Sequence, residues 1–368
     1  IRFHLGFGPR NGVTGRQALM PFAQAIAIDS AFAPAYEHAT RLALEVDGTA
    51  VGLRYARRFL AFNPPPPFGP TAKLDIALLA TPRDTAANRR LADGFTPNDL
   101  GYAAKQLSAV YDSAESETWL GHQLVRRVGL FGQVMGSPAA WYVFDGLLRR
   151  GHVRALWARI ATLPKPVPGS LSALAMVADV GIIPAASLDS LLRRPDNLSA
   201  GYTWFGLRWW AARGDTTDLH AFLVARTRQV GRKGGDVPLN PAPYDTAVTR
   251  AYLALAKRDT TEALRRFATL PDTLCRGGCA LDVITYGELL TSRGRAATAD
   301  SLLARRYHDQ QTTATNVLLE LALARAANRA GDLHTSREAY ERVADAWSTA
   351  DPEFQPLVAE AHHALQPP

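Results

Sequence analysis

The sequence predicts an all-α fold: a right-handed α-solenoid of helical hairpins, closed by a C-terminal capping helix. Three observations predict it. First, Gly151, Gly181, Gly214, Gly294 and Gly331 each follow one apolar run and precede another, at intervals of 30, 33, 80 and 37 residues. The long interval divides at Arg258-Asp259 into 44 and 36. A period in the thirties marks a helix–turn–helix array, whose units bury their apolar faces only by stacking. Second, alanine, leucine and arginine dominate the periodic segments, and all three are strong helix formers. Valine, isoleucine and threonine are too dispersed to build many strands. Third, the last segment is helical but more polar, which suits the exposed end of a stack.

Taken in order, the chain starts with the glycine-rich stretch Gly6 to Gly12. It lacks the spacing of a dinucleotide loop and the Gly-Lys-Ser/Thr ending of a phosphate loop, so it reads as a flexible terminal segment. An N-terminal helical region occupies 1–63. Pro64, Pro65, Pro66, Pro67 and Pro70 make 64–70 a stiff polyproline linker. Residues 71–135 are helical by composition, with no fixed repeat register. The main array spans 136–352, broken by the proline-rich stretch Pro164 to Gly169 and by the loop Gln229 to Pro243, the longest in the chain. Long loops in compact domains are often functional or mobile.

The last repeat is the clearest. Asn316 to Ala330 places Leu318, Leu319, Ala322, Leu323 and Ala326 on one side of a helix. Gly331-Asp332 turns the chain into a second helix through Ala339, Tyr340, Val343, Ala346 and Trp347, which Asp351-Pro352 ends. Residues 353–368 then form the capping helix and tail. One unit earlier, Val283, Tyr286, Gly287 and Leu290 precede Gly294, and Ala299, Leu302 and Leu303 follow it. Before that, Tyr252, Leu253 and Leu255 lead to Arg258-Asp259, then Ala263, Leu264 and Phe267.

These residues resemble the tetratricopeptide repeat family. Gly287 with Ala299, and Ala251 with Ala263, match its two small positions. Phe267 and Tyr340 match its aromatic position, and Gly214-Asp215 and Gly331-Asp332 match its turn. Ala18, Phe22 and Ala25, followed by Ile28-Asp29, match the second helix of a repeat. The likeness is strongest over 244–348 and thinner over 16–64 and 136–230. Departures include Ser336 for the usual alanine, and the bulky Leu156 and Leu219. The tail Tyr340 to Trp347, with Ala350 to Glu353, also resembles the repeat region that follows kinase or regulator domains in some bacterial proteins. This chain carries neither a kinase signature nor a DNA-binding domain.

The family implies a concave groove lined by the first helix of each repeat. Carried onto this sequence, the groove positions are Trp141, Asp145, Trp204, Arg208, Tyr252, Glu288, Arg325 and Asn328. Aromatic residues and arginine are enriched at binding hot spots. Core packing is the alternative for each aromatic, because a shift of one residue swaps faces. The same choice applies to the aromatic clusters Tyr202, Trp204, Phe205, Trp209, Trp210 and Trp141, Tyr142, Phe144, Trp157.

No catalytic set stands out. There is no His-Glu-x-x-His, Gly-x-Ser-x-Gly or kinase motif, and the 9 histidines are scattered. No cofactor or metal is expected. Cys275 and Cys279 flank Gly277-Gly278. A local disulfide is the favoured reading, because glycines allow the close approach it needs. Two free thiols, or half of a metal site that His308 does not complete, are the alternatives. A disulfide points to an oxidising, periplasmic setting. Asn197-Leu198-Ser199 matches a glycosylation acceptor, a pattern common by chance.

The net charge is +7, yet its densest clusters are pairs such as Arg57-Arg58, Arg149-Arg150 and Arg265-Arg266. So diffuse a charge argues against nucleic acid. No apolar run is long enough to span a membrane. With Ile1 first, the chain is expected to be a processed or truncated part of a longer protein. The functional expectation is a non-enzymatic, extracytoplasmic scaffold that binds a protein partner, such as an accessory subunit of a respiratory or photosynthetic membrane complex. The alternative is a sensor module that binds a small molecule.

Overall fold

A computed structural model describes residues 15–79, 84–107, 114–134, 137–160, 181–193, 206–230, 242–270, 279–305 and 314–366. Among these the fold is all-α, with one two-residue antiparallel ladder, β1 (Gln133–Val134) and β2 (Ser137–Pro138). The helices gather into two compact units, one running to Leu147 and one from Leu148.

The first unit contains α1 (Gly15–Ile28), α2 (Ala33–Val46), α3 (Thr49–Leu60), α4 (Phe68–Leu79), α5 (Thr85–Asp93), α6 (Pro97–Leu107), α7 (Ala114–Val128) and most of α8 (Ala139–Arg149). Each apolar stripe faces a neighbour: Ala18, Leu19 and Phe22 of α1 pack with Ala39, Leu42 and Ala43 of α2. Leu74 and Leu78 of α4 join Leu100 and Leu107 of α6 and Leu120 and Leu124 of α7. The expected linker at 64–70 lies inside this unit. Phe68, Gly69 and Pro70 already belong to α4, which is consistent with proline's tolerance in a first helical turn. Tyr36, Phe59 and Ala72, from helices on both sides of the prolines, share one cluster.

The second unit contains α9 (Val153–Ile160), α10 (Ala185–Leu192), α11 (Gly206–Ala212), α12 (Thr216–Val230), α13 (Ala242–Ala256), α14 (Thr260–Ala268), α15 (Cys279–Ser292), α16 (Ala296–Leu303), α17 (Ala314–Ala330), α18 (Leu333–Ala346), a 3-10 turn (Pro352–Phe354) and α19 (Gln355–Leu365). From α11 onward, helices adjacent in sequence pack on one another.

Three of the five glycine hinges that the sequence marks share one construction. Gly214, Gly294 and Gly331 each join two helices, with φ of +71°, +73° and +84°. Each donates its N–H three residues back, to Ala211, Thr291 and Asn328. The next residue donates five back: Asp215 to Trp210, Arg295 to Leu290, Asp332 to Ala327. This is the Schellman termination, which needs a left-handed residue at that point. Arg258 fills the same place with φ +61°, and Asp259 donates to Ala254. The aspartates then cap the following helix: Asp259 accepts from Glu262 N at 3.0 Å, and Asp332 from Thr335 N at 3.1 Å. The small position at Gly287 also has a physical reason, since a Cβ there would lie 2.8 Å from Leu303 Cδ1.

One feature departs from a linear array, in which each repeat meets only its neighbours. Residues 150–154 bond to residues 345–353 of the same unit. The glycine-rich start, the stretch 164–169, Asn197-Leu198-Ser199, most of the loop 229–243 and His308 lie outside the described residues.

Candidate functional site

The second unit carries an open cavity of about 520 Å³. Its lining comes from α15 (Glu288, Thr291), α17 (Ala322, Arg325, Asn328, Arg329), α18 (Tyr340) and α19 (Glu360). The helical period explains why α17 dominates: 322, 325 and 329 recur at three and four residues and share one face.

Two ion pairs shape this site. Arg325 grips Glu360 with two parallel bonds, Nε to Oε1 and Nη2 to Oε2, both 2.7 Å. This is the fork geometry that makes arginine–carboxylate pairs strong. Tyr340 OH donates to the same Glu360 Oε1 at 3.1 Å. The Arg325 hydrogen bonds hold the Glu360 carboxyl below its ordinary value, against partial burial, with help from the charge of Arg325 and from Tyr340. Burial, and then the negative Glu360, push the Tyr340 hydroxyl up to about 12, so it stays a proton donor at neutral pH.

Glu288 pairs with Arg208 of α11 at 3.0 Å, and Arg208 also donates to Thr285 Oγ1 at 3.2 Å. From Thr285 a chain of bonds runs inward. Thr285 Oγ1 lies 3.2 Å from Tyr252 OH, which donates to the buried Asp282 at 2.8 Å. Tyr244 OH donates to the other Asp282 oxygen at 2.9 Å. Burial first, then the Asp282 charge, raise both tyrosine hydroxyls. Arg329 is exposed beside Asn328, and its charge reaches Glu360 and Tyr340 across the cavity, favouring their ionised forms.

The predicted groove positions therefore fall in different places. Glu288, Arg325 and Asn328 line one cavity, and Arg208 braces it through Glu288. Tyr252 is only 1% exposed and sits beneath it, packed edge-on against Phe267 at 5.3 Å. Its hydroxyl faces the interior, toward Asp282. Trp141 and Asp145 belong to the first unit, where Trp141 packs against the α4–α7 core and Asp145 is buried. Trp204 lies outside the described residues, as do Tyr202 and Phe205. Trp209 and Trp210 are core: Trp209 Nε1 donates to Asp189 at 2.8 Å, and Trp210 is fully buried. Cys275 also lies outside the described residues, and of Cys279 only the backbone position opening α15 is described.

Sequence reasoning misses Thr291, Arg329, Tyr340 and Glu360 as lining residues. Arg329 was reachable, one turn beyond Arg325 on the same face. Glu360 carries no such signal, because it belongs to the helix read as a cap.

A second polar cluster lies in the first unit. Glu37 of α2 accepts from Tyr102 OH of α6, and His38 Nδ1 lies 2.7 Å from its other oxygen. Burial opposes ionisation of Glu37, but those two partners and the Arg41 charge outweigh it and lower its pKa. Burial lowers the pKa of Arg41, and burial together with the Arg41 charge lowers that of Lys105. The cluster ties α2 to α6 across 65 residues of sequence.

No group of three or more potential ligating side chains able to hold a metal ion occurs among the described residues, and no described helix is long and apolar enough to cross a membrane. No protein-family model matches the chain, and no curated protein or solved structure matches it either.

Proposed function

We propose that the second unit is a divergent tetratricopeptide-like array with a right-handed superhelix, and that it serves as a non-enzymatic scaffold that binds a protein segment in the α15–α17–α19 cavity. One observation carries this reading. Three groove positions that the repeat frame assigns from two adjacent repeats, Glu288 from one and Arg325 and Asn328 from the next, line a single open cavity. The charge pattern supports a choice of partner. Both lining carboxylates are already engaged by arginines, whereas Arg329 stands exposed beside Asn328. A segment with an acidic side chain gains a charge-assisted bond there; a basic segment finds no open carboxylate. An extracytoplasmic setting, as an accessory or assembly subunit, rests on the expected Cys275–Cys279 disulfide.

A photoreactive residue at Asn328, used in cells of the source, tests the scaffold reading. One polypeptide should be captured, and Arg329→Glu should abolish the capture. Equal capture from the exposed Val224 of α12, or no polypeptide adduct at all, would refute it. The cavity volume favours one competing reading, a small-molecule sensor, because such ligands occupy roughly 300–1,000 Å³. A metabolite that co-purifies with the chain and leaves with Arg325→Ala would support that reading instead.

A further inference from the structure

We propose that α9 and the corner between α18 and α19 form a latch that opens as one piece and, while closed, holds the Tyr340–Glu360 wall of the cavity in place. The parts come from opposite ends of the second unit. Arg154 N–H, in the first turn of α9, donates to Asp351 Oδ2 at 2.7 Å, 197 residues away. That contact is an N-terminal cap supplied from a distant segment. Asp351 N–H returns a bond to the Gly151 carbonyl at 3.1 Å. Arg154 also pairs with Glu353, and Arg150 Nη1 donates to the Asp345 and Ala346 carbonyls at 3.3 and 3.4 Å.

Apolar packing completes the dock. Trp347 and Phe354 are buried, with ring centroids 4.9 Å apart. Gly151 closes over them with φ +70°, and a Cβ there would sit 2.6 Å from Ala350 Cβ and 3.4 Å from both rings. Any side chain at 151 would hold the two ends apart.

Two physical points make this a latch rather than a fixed seam. α9 has 8 residues, too few for a helix to be stable alone, so its order depends on docking. The corner also links the two helices that build the cavity wall: α18 carries Tyr340 and α19 carries Glu360. A corner that leaves Gly151 releases the start of α19, and with it the carboxylate that Arg325 grips. This holds whether or not the cavity binds a protein segment.

Hydrogen exchange of the full chain, read by mass spectrometry, tests the latch. Asp351 makes no side-chain cap bond to its own 3-10 turn, so Asp351→Ala removes its contact with α9 and no local cap. Amides of 153–160 and 355–365 should then exchange roughly fivefold faster, the effect of one lost cap, while 216–230 keeps its rates. Gly151→Ala should give the same pattern by a steric route. The paired reversal Arg154→Glu with Glu353→Arg should restore more protection than either change alone. Acceleration of α9 without α19 would overturn the latch, as would acceleration of all segments together or of none. None of these outcomes depends on capture of a partner at Asn328, so the latch and the scaffold reading can fail separately.

Discussion

Asp75 offers the sharpest test of how this chain balances burial against charge. It lies in α4 with Thr71, Leu74 and Leu78 on the buried stripe, is 0% exposed, and has no hydrogen-bond partner at either carboxylate oxygen. Burial raises its pKa well above the ordinary value of 3.8. The folded protein therefore holds the Asp75 proton at pH values where the unfolded chain has released it. Wherever the folded state binds the extra proton, stability falls as pH rises. The slope is about 1.4 kcal/mol per pH unit, starting near the unfolded value and ending at the raised folded one. Asp75→Asn keeps the shape and removes the titration. Relative to wild type, it should gain about 1.4 kcal/mol between about pH 4.5 and 5.5, roughly a tenfold change in equilibrium. The assay is the ratio of exchange protection of residues 68–79 in variant and wild type, taken at each pH so that intrinsic exchange rates cancel. A ratio constant from about pH 4.5 to 7.5 would show that Asp75 titrates in the folded state as it does in the unfolded one, and the burial argument would fail.

Four further outcomes follow from single contacts, each read by urea unfolding. Arg258→Gly should stabilise the second unit by about 1 kcal/mol, because it relieves a left-handed residue at φ +61° that carries a Cβ; a loss would mean that the side chain matters more than the backbone. Gly331→Ala, with nothing within 4 Å of its Cβ, should cost only the backbone term of about 1 kcal/mol, whereas Gly287→Ala meets Leu303 and should cost about 1–3 kcal/mol; equal costs would mean that Leu303 yields freely. Asp245→Asn removes the carboxylate charge paired with the buried Arg226 and should cost about 3–5 kcal/mol, of which an apolar replacement of both partners recovers most; a silent change would place the pair in water. Tyr252→Phe leaves Asp282 with one tyrosine donor and should cost about 1–3 kcal/mol; unchanged stability would mean that water replaces the hydroxyl.

The hinges were legible because their chemistry is local. A Schellman turn is decided within six residues by a left-handed position and the capping aspartate after it, so Gly214-Asp215, Gly331-Asp332 and even Arg258-Asp259 can be read from the chain. Helix formation was legible for the same reason: three- and four-residue periodicity and good helix formers act within one turn. The face each groove residue takes was only partly legible. Glu288, Arg325 and Asn328 reached the cavity, but Tyr252, placed by the same frame, points into the core toward Asp282, 30 residues on. One helical position is a rotation of about 100°, and whether it means groove or core depends on which helix arrives opposite.

The sequence by itself determined that this chain is helical, where many of its helices break, and which residues are small so that helices can approach. Tertiary structure decided the rest. It placed Glu360 of the terminal helix on Arg325, brought Asp351 back to cap α9, buried Asp75 without a partner, and left Arg329 exposed at the cavity. Local geometry follows from a few adjacent dihedrals. Charge pairing and burial follow from segments that meet far apart in the chain, 35 residues for Arg325 with Glu360 and 197 for Arg154 with Asp351, and no period in the sequence records those meetings.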